Sequence, residues 1–125
     1  MSFPAQRVIS IAGVLLATVV LASAAAAATV APTPSERAAI IRGFGDPASA
    51  SSCLVVRLAQ SDRRYGAVQP RLSSRCARWA FNGVNVLLRE SDGRWKVLFE
   101  GSSYRCPVPR IPRGVQKDLG VCPAR

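Results

Sequence analysis

Between Val84 and Glu100, apolar and polar residues alternate as they do in paired strands. Asp92-Gly93 separates the two runs and predicts a hairpin turn, with Trp95, Val97 and Phe99 alternating on the return strand. A two-residue turn sets Leu88 opposite Val97 and Val86 opposite Phe99, so that one face is apolar throughout. A four-residue turn keeps that parity. A three-residue turn puts apolar against polar, unless a bulge absorbs the extra residue.

The same reading extends along the chain. Ser35–Gly43 predicts a short helix, capped by Ser35, with Glu36 at the positive end of its dipole and Gly43 as its stop. Ala38, Ile41 and Phe44 are its expected core face, and Gly45–Ser52 is loop. Cys53–Gln60 predicts a strand with Leu54, Val56 and Leu58 on one side. Ser61–Arg64 turns the chain into a weaker strand, Tyr65–Gln69, ended by Pro70. Cys76–Phe81 again alternates, with Ala77, Trp79 and Phe81 on one side, and Asn82-Gly83 breaks it. Cys106–Pro112 is too proline-rich for a central strand. Pro112–Leu119 predicts a closing helix whose Ile111, Val115 and Leu119 form an apolar stripe. The expected fold class is α+β: an N-terminal helix packed on an antiparallel meander of about four strands, and a short C-terminal helix. One core is expected to bury Leu54, Val86, Trp95, Val97 and Phe99 together.

Composition adds a compartment. A basic end, the apolar run Val8–Leu21 and the alanine tract Ala24–Ala28 have the order of a secretory signal. Residues 1–28 are therefore expected as signal peptide, 29–34 as a proline-rich leader, and 35–125 as one small disulfide-stabilised domain. The competing reading is an uncleaved anchor over Val8–Val30, the one route by which the membrane is expected to be touched; its alanine-rich second half favours cleavage. All four cysteines, Cys53, Cys76, Cys106 and Cys122, lie in the exported part, as disulfides of an oxidising compartment would. Of the three possible connectivities, Cys53–Cys76 with Cys106–Cys122 is preferred, because each pair brackets one contiguous unit. The spacing does not suit a metal: no cysteines are two to four apart and there is no histidine.

The succession Asp62-Arg-Arg-Tyr65, Cys76, Gly93-Arg-Trp-Lys-Val97, Gly101-Ser102, Cys106, Ile111–Leu119 and Cys122 resembles an uncharacterised family of small secreted two-disulfide proteins of high-GC Gram-positive (actinobacterial) bacteria. The likeness covers roughly Ser61 to Cys122 and rests on spacing. It implies an exported two-disulfide domain and supplies no active site.

The formal net charge is +10, and nearly all basic residues are arginine. Such a domain is drawn to anionic surfaces, although arginine is also a common solvated residue. Arg89, Arg94 and Lys96, on the hairpin's tip and outer face, are the candidate anion-binding residues, with Arg78, Arg105 and Arg113 near them. An anionic envelope polymer or an acidic protein fits export. Nucleic acid is disfavoured, because Trp79, Trp95 and Phe99 are read as core and leave no stacking platform. Catalysis and cofactors are not expected: without histidine the common general base is missing, and Glu90, Asp92 and Glu100 read as solvated or paired with Lys96. The expected function is a secreted cationic binding or structural protein at the cell envelope, cell-wall associated. The alternative is a serine-proteinase inhibitor presenting Arg110-Ile111 on a proline-stiffened loop. The sequence leaves the ligand and the oligomeric state open.

Overall fold

In the computed structural model the described residues are 28–45, 48–81 and 83–122, so the expected signal peptide lies outside them except for Ala28. Five antiparallel strands follow one another in chain order: β1 Thr29–Val30, β2 Leu54–Ala59, β3 Tyr65–Pro70, β4 Val84–Arg89 and β5 Trp95–Gly101. Helix α1, Pro34–Phe44, and a 3-10 helix, Ala48–Cys53, lie between β1 and β2. A second 3-10 helix, Ser74–Trp79, joins β3 to β4, and α2, Arg113–Asp118, follows β5. The architecture is α+β with two disulfides, Cys53–Cys76 and Cys106–Cys122, which is the preferred pairing. Among the described residues no helix is long and apolar enough to cross a membrane.

The hairpin makes a three-residue turn. Glu90 N–H donates to the Arg94 carbonyl at 2.8 Å, leaving Ser91, Asp92 and Gly93 as the loop, with Gly93 at φ 84° supplying the left-handed position. Near the turn, Leu88 therefore faces Lys96 and Leu87 faces Val97, in place of the expected Leu88–Val97 pair. A bulge between Val86 and Leu87 then takes up Leu98, and Val86 faces Phe99 as expected.

The expected single core is split into two: the β2–β3–β4 registers put Leu54 and Val86 on opposite faces, and the shift carries Trp95 and Val97 to the face of Leu54. On one face of the sheet Leu54, Val56, Leu58, Val68, Leu87 and Trp95 pack under Ile40 and Ile41 of α1, with Val97 partly buried beside them. On the other, Ala59, Ala67, Val84 and Val86 are covered by Val108, Ile111, Val115, Leu119 and Val121, with Phe99 at the margin. A meander clad on both faces keeps both sets of alternating residues from water, and each fully buried aliphatic contributes about 1.5–3 kcal/mol.

Four further expectations are corrected. First, the leader contributes β1, whose Thr29 and Val30 pair with Ala59 and Leu58. Second, α1 is capped by Thr33, not Ser35: the Thr33 hydroxyl accepts from Glu36 N–H at 3.2 Å, and Glu36 Oε2 accepts from Thr33 N–H at 2.7 Å. Third, α1 ends at Gly45. Gly43 lies within its last turn, where a Cβ would strike the Trp95 backbone, so glycine permits close approach to β5. Ile40 and Ile41 face the core while Ala38 is exposed. Fourth, Cys76–Phe81 is not a strand. β4 takes the edge of β3, from Tyr65–Leu88 to Val68–Asn85, and leaves the intervening segment no partner. It closes its own hydrogen bonds instead, Cys76 N–H to the Ser73 carbonyl and Ala80 N–H to the Ala77 carbonyl, both 3.1 Å.

The proline-rich segment has no ladder either, and a side chain replaces one. Gln116 is 2% exposed; its Oε1 accepts from Val108 N–H at 2.8 Å, and its Nε2 donates to the carbonyls of Val108 at 2.9 Å and Ile111 at 2.6 Å. Tyr104 Oη donates to the Val121 carbonyl at 2.7 Å, and Asp118 Oδ2 accepts from Ser61 N–H at 2.7 Å. Together these hold the tail against the sheet.

Two outcomes follow for stability. Gln116→Met keeps the volume but orphans three buried backbone groups, and urea unfolding should show a loss of about 2–4 kcal/mol. Glu36 titrates below its ordinary value of 4.5, chiefly through the Thr33 N–H and, after the opposing effect of burial, through Arg63. A depressed carboxylate stabilises the fold above its unfolded value, and that contribution is lost as pH falls through the folded one. The thermal midpoint of the wild type should therefore fall on acidification below about pH 4.5 more steeply than that of Glu36→Gln.

Candidate anion-binding surface

The three expected residues do not share a face. Arg89 lies opposite Trp95, on the α1 side of the sheet, whereas Lys96 lies opposite Leu88, on the tail side. Arg94 belongs to the closing pair of the turn. The three-residue turn causes this separation, because it moves Lys96 by one place relative to β4. The bulge likewise turns Glu100 away from Lys96; Glu100 lies opposite Asn85 instead.

The tip's cations are also matched by acids. Arg94 Nε donates to Asp92 Oδ2 at 2.7 Å, Arg64 Nη2 to Asp62 Oδ2 at 2.8 Å, and Lys96 Nζ lies 3.9 Å from Glu90. Arg64, Arg89, Glu90, Ser91 and Gly93 line a shallow depression of about 440 Å³, but Glu90 is part of its wall. Asp62 is held below its ordinary 3.8 mainly by the Arg64 side chain, and Asp92 below the same value mainly by the Arg94 N–H and then its side chain. Both stay ionised across neutral and mildly acidic pH. Such exposed pairs stabilise little, but they cancel local positive charge.

The positive charge without acids lies elsewhere. From Arg63 to Arg89 the chain has no acidic residue, and the β3–β4 connection carries Arg71, Arg75 and Arg78. Local structure gathers them. Arg71 N–H donates to the Cys53 carbonyl at 2.7 Å, and its Nε to the Ser52 carbonyl at 3.1 Å. The Cys53–Cys76 disulfide, both cysteines buried, pins the 3-10 helix beside it. Three residues per turn bring Arg75 and Arg78 to the same side. Arg71, Arg75, Arg78 and Trp79, with Ser52, Ser73 and the disulfide, surround a depression of about 250 Å³. Among the described residues none of these arginines belongs to an ion pair; the acids Glu36, Asp62, Glu90 and Asp92 are engaged with Arg63, Arg64, Lys96 and Arg94.

Trp79, expected in the core, belongs to neither apolar cluster. It is half-buried, with the Arg78 guanidinium 5.1 Å from its ring centroid. Sequence reasoning took its alternation with Ala77 and Phe81 for a strand and so missed a basic–aromatic platform. The available signal was the three- and four-residue spacing of Arg71, Arg75 and Arg78 in an acid-free stretch, with Ser73-Ser74 between the first two.

The other candidate sites gain little from the geometry. Ile111 is buried and Arg110 has φ 68°, which is not the extended, accessible bond of a proteinase-binding loop. Glu90 and Asp92 are occupied by basic partners at the turn, while Glu100 lies at the far end of β5. Among the described residues no group of three His, Cys, Asp or Glu side chains could hold a metal ion.

Removing an acid from the tip should expose the charge it masks. Asp92→Asn is expected to strengthen low-salt retention on a polyanionic resin at pH 6. On acidification the gap between the variant and the wild type should close only once pH falls below about 3.8, through the depressed value of Asp92. Retention measured against pH for the two proteins checks this.

No protein-family model matches the chain, and no curated protein and no solved structure matches it either.

Proposed function

We propose that this protein is a secreted cationic binding protein that attaches to an anionic partner at the cell envelope, a polymer or an acidic protein, and that it performs no catalysis. The observation that carries this reading is the group of Arg71, Arg75 and Arg78 round one depression, in a segment without acids and outside the ion pairs of the described residues. The Ser52 carbonyl holds the Arg71 guanidinium and the disulfide anchors the backbone beside Arg75 and Arg78, and each guanidinium can offer a forked pair of donors to phosphate or carboxylate oxygens.

Export is supported by the apolar run that follows Arg7 and by two disulfides suited to an oxidising compartment. An extracellular, wall-associated location follows from export together with the positive charge. The contact moves from the hairpin tip, where Arg94 and Lys96 have acidic neighbours, to the β3–β4 connection.

Retention on isolated cell envelopes across a salt titration tests the reading. Binding should fall steeply with salt, as counterion-linked contacts do. Reversing Arg75 and Arg78 to Glu should weaken low-salt retention by about tenfold or more, and reversing Arg94 and Lys96 should change it by about threefold at most. Salt-independent retention, or equal sensitivity to both pairs of reversals, would discard the proposal.

A further inference from the structure

Resting on that cationic surface but departing from that reading in the partner, we infer that the β3–β4 connection docks on an anionic lipid bilayer, with Leu72 and Trp79 entering the headgroup region and Arg71, Arg75 and Arg78 on lipid phosphates. Leu72 is 93% exposed, the one large hydrophobic side chain so exposed among the described residues. A single exposed leucine is ordinary on a soluble surface. This one stands at the centre of a tight turn, in which Ser73 N–H donates to the Arg71 carbonyl at 3.1 Å. Its two neighbours, Arg71 and Ser73, line the arginine-bordered depression. The backbone on either side is fixed, by the Arg71–Cys53 hydrogen bond before it and by Cys76 with its disulfide after it. The leucine is thus displayed from a rigid base.

The combination selects the partner. A glycan or phosphate polymer dissolved in water would be met by the arginines alone and gives Leu72 nothing to bury against. A bilayer of anionic lipids offers phosphates at the surface and hydrocarbon just beneath them. Arginine can keep its head among the phosphates while its stem lies along apolar surface. Trp79, half-buried and overlain by the Arg78 guanidinium, is the kind of amphipathic ring that settles at the membrane interface. Each basic residue at an anionic membrane surface multiplies partitioning about fivefold, so three give roughly a hundredfold. That is marginal alone, and a second, apolar contribution makes attachment firm.

The test uses the chain from Ala28 onward, which contains all five strands, both apolar clusters and both disulfides. It is titrated with vesicles of phosphatidylcholine alone or mixed with phosphatidylglycerol, and tryptophan emission and iodide quenching are followed. Trp95 is 6% exposed in the core and gives a constant background, so any change reports Trp79. The expected result is a blue shift and protection from iodide with the mixed vesicles only, both lost in Trp79→Phe. Leu72→Ser, which cannot disturb the core from so exposed a position, should weaken partitioning about three- to tenfold while leaving its salt sensitivity intact.

Salt-sensitive binding to the mixed vesicles with Trp79 emission unchanged and Leu72→Ser equal to wild type would overturn the bilayer inference. Envelope retention that depends on Arg75 and Arg78, with no vesicle binding at all, would overturn it too and would identify a polymer or protein as the partner. Loss of both envelope and vesicle binding at low salt would end the wider anion-binding reading as well.

Discussion

One residue of register between β4 and β5 divides the hairpin's apolar side chains between the two faces of the sheet. The three-residue turn at Ser91–Gly93 and the bulge at Leu98 place Leu87, Trp95 and Val97 on one face of the sheet and Val84, Val86 and Phe99 on the other. Neither face could then be left to water, since each carries aliphatic and aromatic side chains whose burial drives folding. The chain before β2 covers one face with α1, and the chain after β5 covers the other with the tail. Gly43 lets α1 approach Trp95 closely, and Gln116 lets a proline-rich tail lie against the sheet without a ladder of its own.

The elements legible in sequence were those with a period and a partner. β2, β3, β4 and β5 were expected within a residue or two, as was the stripe of Ile111, Val115 and Leu119. The stapled units were legible too, because each cysteine pair brackets a contiguous stretch. Cys76–Phe81 misled because alternation is necessary for a strand but says nothing of whether an edge is free. β4 had already taken the edge of β3. The turn length was equally hidden. Asp92-Gly93 suits a two-residue turn and also the end of a three-residue one, and the difference decides on which face Lys96 emerges.

The candidate surface moved for the same reason. Charge placed on a hairpin tip looks available in a sequence, yet tips also concentrate the acids that turns favour, and Asp62, Glu90 and Asp92 lie among Arg64, Lys96 and Arg94. Folding brings these opposites together and cancels them locally. The long acid-free interval from Arg63 to Arg89 has few acids to meet, and its middle is excluded from the sheet. Net positive charge therefore collects on a connection that makes no ladder.

The disulfides fall where hydrogen-bonded pairing stops. Cys53–Cys76 ties the β3–β4 connection to the end of the first 3-10 helix, and Cys106–Cys122 closes the tail that Gln116 threads. In the entropic description each closure restricts the unfolded chain by about 3 kcal/mol. Its other consequence concerns the native state. A segment held by a covalent link, a backbone hydrogen bond at Arg71 and its own 3-10 turns needs few buried side chains of its own. Its remaining side chains, Leu72, Arg75, Arg78 and part of Trp79, are left to face outward. Such a segment can keep a leucine almost wholly in water without collapsing over it. Rigidity of the base and exposure of the contact residues are thus two results of the same cross-link.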